Sequence, residues 1–347
     1  MRRLAERHPL ALFLVLTFVP SWTLWIGLGV LSRTGAYAAD GRWLAAQVGV
    51  FAPGLAALAV ASLVRPAVRR RAARTVLLLY VPAVVLGALI ASRGFGDLRR
   101  VEAPWTVAAL ALAVVAVAVL GRGDGRIAPW PLPTASPAAG ARWAVGALVL
   151  PVGVLAAGWL LAGGDGPART LPGELPFREL TVAAILPALG FNLVFGGSLG
   201  EEPGWRGFLL PELLRERSPL AASLVVSFWW ALWHAPIDWQ QGFVATGPGG
   251  LLARQLWTLP ATVLFTWVTV RAGGSLLPAI AFHTGINAFP DFALAQPGRY
   301  ESAIALFFVA TLVVAAAVCI ADPRMLRRPE AEPVPGGDPD GRMGTPP

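Results

Sequence analysis

The sequence predicts an all-α fold: a polytopic helical membrane protein with about ten transmembrane helices and both termini cytoplasmic. Three observations predict it. Of the 347 residues, 56% are hydrophobic and only 14% charged, the balance of a chain solvated mostly by lipid. The apolar residues fall in continuous runs, several long enough for the roughly 20 residues a helix needs to cross hydrocarbon. They show none of the ten-residue alternation of an outer-membrane barrel. The arginines, finally, are distributed unevenly between the segments joining those runs.

Ten runs qualify in order: Pro9 to Leu31, Trp43 to Val64, Thr75 to Ala91, Pro104 to Leu120, Trp143 to Ala162, Leu180 to Leu199, Pro219 to Trp239, Leu251 to Val270, Ser275 to Phe289 and Ala303 to Ile320. The third, fourth and ninth are short, and the ninth could be a half-buried helix. The first follows Arg2, Arg3 and Arg7 and precedes a cleavage-like Ala36-Tyr37-Ala38, but its apolar stretch is too long for a signal core, so it is read as a retained span.

The chain has 28 basic residues, all arginine. With the N-terminus inside, segments 1–8, 65–74, 121–142, 200–218, 271–274 and 321–347 carry 19 of them, the positive-inside asymmetry. The net charge of +8 therefore reflects topology and contact with anionic lipid headgroups, with no nucleic acid implied. A single cysteine, Cys319, excludes an intramolecular disulfide and a cysteine-based metal site. Segments 1–178 and 179–321 read as two helical regions. The Pro/Gly-rich tail, 322–347, reads as disordered, most clearly from Pro329.

Chemistry must then lie among the helices, where ionisable groups are costly and usually face a bundle interior or a watery cavity. His8 sits in the basic flank and is set aside. His234 and His283 fall inside apolar runs, in WWALWHAP and AFHTGINAF. Asn287 follows His283 by four residues, so both lie on one helix face and could donate toward one point. Trp230 precedes His234 by four and could hold its ring. Asp238 follows by four, but Pro236 is expected to break that spacing.

Glu201 and Glu202 stand in GSLGEEPGWRGF. Arg206 is four residues beyond Glu202, which favours that ion pair and leaves Glu201 the freer carboxylate, suited to general-base work on water. Gly196, Gly197, Gly200, Pro203 and Gly204 argue against a regular helix here and for access of water. Taken alone, a glutamate pair before an arginine is ordinary decoration of a membrane interface. A lone intramembrane histidine is equally a packing hydrogen bonder.

Together the clusters carry a resemblance. Glu201-Glu202-Pro203-Gly204-Trp205-Arg206 is similar to the EExxxR motif of the CPBP family of intramembrane proteases, the CAAX prenyl endopeptidase and bacteriocin-processing group also called Abi. His234 resembles the histidine of its FxxxH motif, with Trp230 at the aromatic position, and His283 with Asn287 resembles its HxxxN motif. The resemblance covers about Leu180 to Ile320 and makes 179–321 the catalytic region. It implies an endopeptidase in which Glu201, aided by His234, activates water, Glu202 and Arg206 orient the site, and His283 and Asn287 stabilise the oxyanion. The partners it implies are the bilayer and a peptide or protein substrate, prenylated or otherwise membrane-bound.

Cofactor identity stays open. Two histidines and a glutamate could ligate a divalent metal such as zinc, but no HExxH spacing is present and the same residues suffice without one. Two other classes stay open as well: a transporter, which would usually show repeat symmetry, and a non-catalytic immunity or scaffolding protein. One tension remains in the spans. At 1.5 Å per residue His283 lies about 12 Å in from Ser275, whereas His234 lies about 22 Å in from Pro219, deeper than glutamates placed at the end of the sixth run.

Overall fold

The computed structural model describes residues 1–33, 48–92, 108, 111–112, 114–115, 137–161, 189–241, 247–294 and 300–328. Most of the fourth apolar run, the start of the sixth and the tail from 329 lie outside them. Among the described residues all regular structure is helical. In chain order the helices are α1 (Arg2–Arg7), α2 (Pro9–Arg33), α3 (Ala52–Val64), α4 (Arg69–Thr75), α5 (Val81–Ser92), α6 (Pro137–Leu161), α7 (Ser198–Gly204), α8 (Leu210–Leu214), α9 (Pro219–Gln241), α10 (Pro248–Arg271), α11 (Leu277–Leu294) and α12 (Tyr300–Ala321). π-helical turns at Val76–Tyr80 and Trp205–Leu209 join α4 to α5 and α7 to α8.

The all-helical expectation therefore stands, while the ten-span count is not reproduced by helix length and composition. Two described helices, within Pro9–Leu31 and Pro219–Trp239, are long and apolar enough to cross a membrane; shorter apolar helices occupy Ala52–Val64, Ala138–Val154 and Phe307–Ala321. The shortfall has a physical reason in α10 and α11. The first carries Arg254, Gln255 and four buried threonines, the second His283, Thr284 and Asn287, so neither is uniformly apolar.

Burial does not sort residues by polarity as it does in a protein solvated by water. Glu201, Glu202, Arg206, Asp238, His283 and a row of serines and threonines are buried with a large apolar core, while many other large apolar side chains are exposed. The exposed ones come as pairs four residues apart: Val15 and Val19, Ile26 and Val30, Val81 and Val85, Val145 and Val149, Leu224 and Phe228, Leu252 and Leu256, Val309 and Val313. On α2, α5, α6, α9, α10 and α12, where these pairs fall, that spacing makes an apolar stripe on the outer face of the helix.

Inside, polar bonds join the helices. Between α9 and α10, Ser223 donates to Thr266 at 2.8 Å and Gln255 to Ser227 at 2.8 Å. Between α2 and α9, the Trp22 indole donates to the Trp233 carbonyl at 3.0 Å and the Trp233 indole to Ser21 at 2.7 Å. Helix α6 backs α11 so closely that a Cβ at Gly285 would stand 2.6 Å from the Leu148 carbonyl oxygen. At the end of α12, Asp322 accepts from Trp267 at 3.2 Å and pairs with Arg271 at 2.6 Å, and Met325 is buried.

Two local expectations are corrected. Proline and glycine do not prevent a helix at 198–204: α7 runs through Pro203 and passes directly into the π turn and α8. Nor does Pro236 break α9, which continues to Gln241. A proline inside a helix removes one amide donor and one bond, and neighbouring helices can supply the missing partner. The tension over depth disappears with the first correction. From Glu201 the chain travels a further thirteen residues, about 20 Å of helix, before α9 begins, and Trp230 lies about 17 Å into α9. The glutamates and the His234 turn therefore share a level.

Candidate active site

Four elements contribute. Immediately before α7 the chain turns at Gly197, whose φ of 92° lies in the left-handed region that glycine alone adopts freely. A Cβ there would also collide with Glu201 Oε1 and stand 3.3 Å from His283 Cε1, so the residue clears space between those two side chains. The turn is held from both sides: the Glu201 amide donates to the Gly197 carbonyl at 2.7 Å, and the Asn287 amide Nδ2 donates to the Gly196 carbonyl at 2.6 Å. Ser198 and Thr284 bond at 3.0 Å and tie the start of α7 to α11.

Glu202 lies at the charged centre of the site. Its Oε1 accepts from Arg206 at 2.9 Å, the pair expected from the four-residue spacing, and meets His283 Nδ1 at 2.7 Å across 81 residues of chain. All three residues are at most 4% exposed. The Arg206 guanidinium lies over the rings of Phe265, 3.8 Å to its centroid, and Trp230, 4.5 Å, so aromatic faces replace water around its charge.

Glu201 is held separately. Its Oε2 accepts from the Trp230 indole at 2.6 Å, a short bond to a buried carboxylate. Trp230 also packs edge-on against His234, at 5.5 Å between ring centroids, and its carbonyl meets His234 Nδ1 at 2.8 Å. Glu201 and His234 are thus joined through Trp230. Of the His234 ring nitrogens, Nε2 is the one directed away from that backbone bond.

Glu201, Glu202, Arg206, His234, His283 and Asn287 are accordingly gathered around the junction of α7, α9 and α11. One expected detail differs. His283 and Asn287 do not hold their nearest donors free toward a common point, since one bonds Glu202 and the other the Gly196 carbonyl; what each retains is the second ring nitrogen and the second amide hydrogen. Asp238 pairs with Arg254 through both carboxylate oxygens, not with His234, and so locks α9 to α10. Sequence reading missed the Trp230 indole as a donor to Glu201 and Phe265 as the floor beneath Arg206.

The residues present do not form a metal cage. Among the described residues no group of three or more His, Cys, Asp or Glu is arranged to hold an ion, and Glu202 and His283 bond one another. The chemistry considered below uses the side chains alone.

Residues 183–289, which contain every one of these site residues, match the family model described as type II CAAX prenyl endopeptidase Rce1-like. A curated relative, CAAX prenyl protease 2 of Methanococcus maripaludis, is 28% identical over 123 residues, covering 33% of this chain and 44% of the relative. The chain thus spans less than half the length of that relative. Residues 183–289 are thus similar to the CAAX prenyl endopeptidase Rce1-like proteins, the likeness that the motifs in the sequence also carry.

Proposed function

We propose that the chain is a multi-pass intramembrane endopeptidase that cleaves a peptide bond near the cytoplasmic face by water activated at Glu201. The observation that carries the proposal is the separation of roles between two adjacent buried glutamates. Glu202 is committed to Arg206 and His283, while among the described residues the Glu201 carboxylate accepts a hydrogen bond from the Trp230 indole alone and faces the clearing at Gly197. The apolar outer stripes support the bilayer as solvent, as does the similarity of residues 183–289 to the CAAX prenyl endopeptidase model.

In the reaction, water adds to the scissile carbonyl carbon as its proton passes to the Glu201 carboxylate. The resulting oxyanion is met by the remaining nitrogen of His283 and the remaining N–H of Asn287. With His283 Nδ1 donating to Glu202, Nε2 also donates only as the imidazolium, whose charge Glu202 balances. The tetrahedral species then collapses: the carbon–nitrogen bond breaks, the proton returns from Glu201 to the leaving amine, and a carboxylic acid and an amine result, which ionise to carboxylate and ammonium. His234, fixed through Nδ1, presents Nε2 to the same water.

The substrate class follows from the family description and is part of the proposal: a protein or peptide with a prenylated CAAX-type C-terminus held at the membrane. The test is purified protein in lipid, given a prenylated peptide and an unprenylated control, with and without a chelator. Glu201→Gln keeps shape and removes proton acceptance, so cleavage should fall by about 10² to 10⁴ while the protein stays folded. Undiminished cleavage by that variant would remove the catalytic assignment.

A further inference from the structure

Pro203 stands immediately after the two glutamates and has no N–H, so the carbonyl four residues back, that of Leu199, loses its ordinary helical donor. Leu199 is fully buried, away from any solvent that could replace the bond. Its carbonyl nonetheless has a donor: the Tyr80 hydroxyl, 3.1 Å away on the far side of a helix boundary and 119 residues earlier in the chain.

We infer that the Tyr80 hydroxyl stands in for the backbone amide Pro203 lacks, and that this cross-helix bond is a positioning element for the turn carrying Glu201 and Glu202. The surroundings are shaped for it. Tyr80 is 2% exposed and packs on Phe51 with ring centroids 5.4 Å apart. Gly54 of α3 leaves the space the hydroxyl occupies, since a Cβ there would overlap the phenol oxygen and stand 2.7 Å from the Gly200 carbonyl. The bonded carbonyl orients the peptide unit between Leu199 and Gly200, one residue before Glu201. With the bond from the Glu201 amide to Gly197, it pins that glutamate's backbone from two directions. Tyr80 lies outside residues 183–289, so the matched segment does not contain its own support.

The kinetic consequence rests on the protease reading; the bond itself does not. The experiment is a cycle of Tyr80→Phe, Pro203→Ala and both together, measuring kcat and KM on a prenylated peptide and the unfolding temperature in one detergent. Tyr80→Phe keeps the ring and removes the donor, so kcat should fall about tenfold with KM unchanged, and the unfolding temperature should drop. In the Pro203→Ala background the restored amide reaches Leu199, and both effects of Tyr80→Phe should vanish. Equal losses in the two backgrounds, no loss in either, or a lowered unfolding temperature with kcat untouched would each overturn the positioning role. If the unaltered protein cleaves no substrate, the protease reading falls by itself, and the coupling in unfolding temperature still decides whether the hydroxyl replaces the amide.

Discussion

Trp230 shows how one substitution within a motif can add a bond. A phenylalanine at this place, as in the FxxxH pattern, could pack against His234 but could not donate to Glu201; the indole does both. A hydrogen bond to a charged group contributes about 1.5 to 3 kcal/mol. Trp230→Phe is therefore expected to leave the protein folded and lower kcat by about tenfold, with the loss appearing in kcat and little in KM; an unchanged kcat would show that the bond does not orient the base. Asn287→Ala removes the bond to Gly196 and, on the proposed mechanism, an oxyanion donor, so turnover should fall by about 10² to 10³ in the same assay. The polar residues of this site were legible in the sequence because short spacings place them in pairs: Glu202 with Arg206, His283 with Asn287. The indole's role was not, because Trp230 meets Glu201 across 29 residues and two helices.

At the scale of elements, the glutamate helix α7 is gripped by α3, far earlier in the chain. Gly200 and Gly204 are four residues apart on one side of α7, and α3 lies directly on them. A Cβ at Gly200 would stand 3.1 Å from the Phe51 Cα and crowd the Val50 carbonyl, and one at Gly204 would stand 2.6 Å from the Pro53 carbonyl carbon. Backbone atoms cannot rotate aside as side chains do. Gly200→Ala and Gly204→Ala should each destabilise by about 1 to 3 kcal/mol and separate α7 from α3. Gly27→Ala in α2, where nothing lies within 4 Å, should be neutral or stabilising by up to about 1 kcal/mol. Thermal unfolding of the three variants in one detergent checks the contrast, and equal behaviour would mean that the seam does not hold α7. The spacing of Gly200 and Gly204 was visible in the sequence as a small-residue pair. It pointed instead to a broken helix, because the partner surface, Val50 to Gly54, is remote in sequence and the donor that compensates Pro203 more remote still.

For the whole molecule, the division into an N-terminal region and a motif-bearing region describes the motifs better than it describes the support of the site. Helix α3 backs α7, α6 backs α11, and α2 is bonded to α9, so each element carrying a site residue leans on a helix outside residues 183–289. What the sequence left to inference is the placement of the bundle across a bilayer, and here the arginines and the structure supply separate arguments. Arg69, Arg70, Arg71 and Arg74 are exposed on α4, Arg215 and Arg217 after α8, and Arg324, Arg327 and Arg328 after α12. The Arg271–Asp322 pair brings the ends of α10 and α12 to one face. If that face is cytoplasmic, the arginine-rich ends lie against anionic headgroups and α9, about 34 Å long at 1.5 Å per residue, runs from it to the opposite side. Reporter fusions after Arg74, Arg217 and Arg328 are then expected in the cytoplasm and one after Gln241 outside. A reporter after Gln241 on the same side as one after Arg217 would mean that α9 does not cross. Arg74 and Arg217 reporters on opposite sides would overturn the shared face, and with it the arrangement in which α3 and α7 meet along their glycine seam within one bilayer.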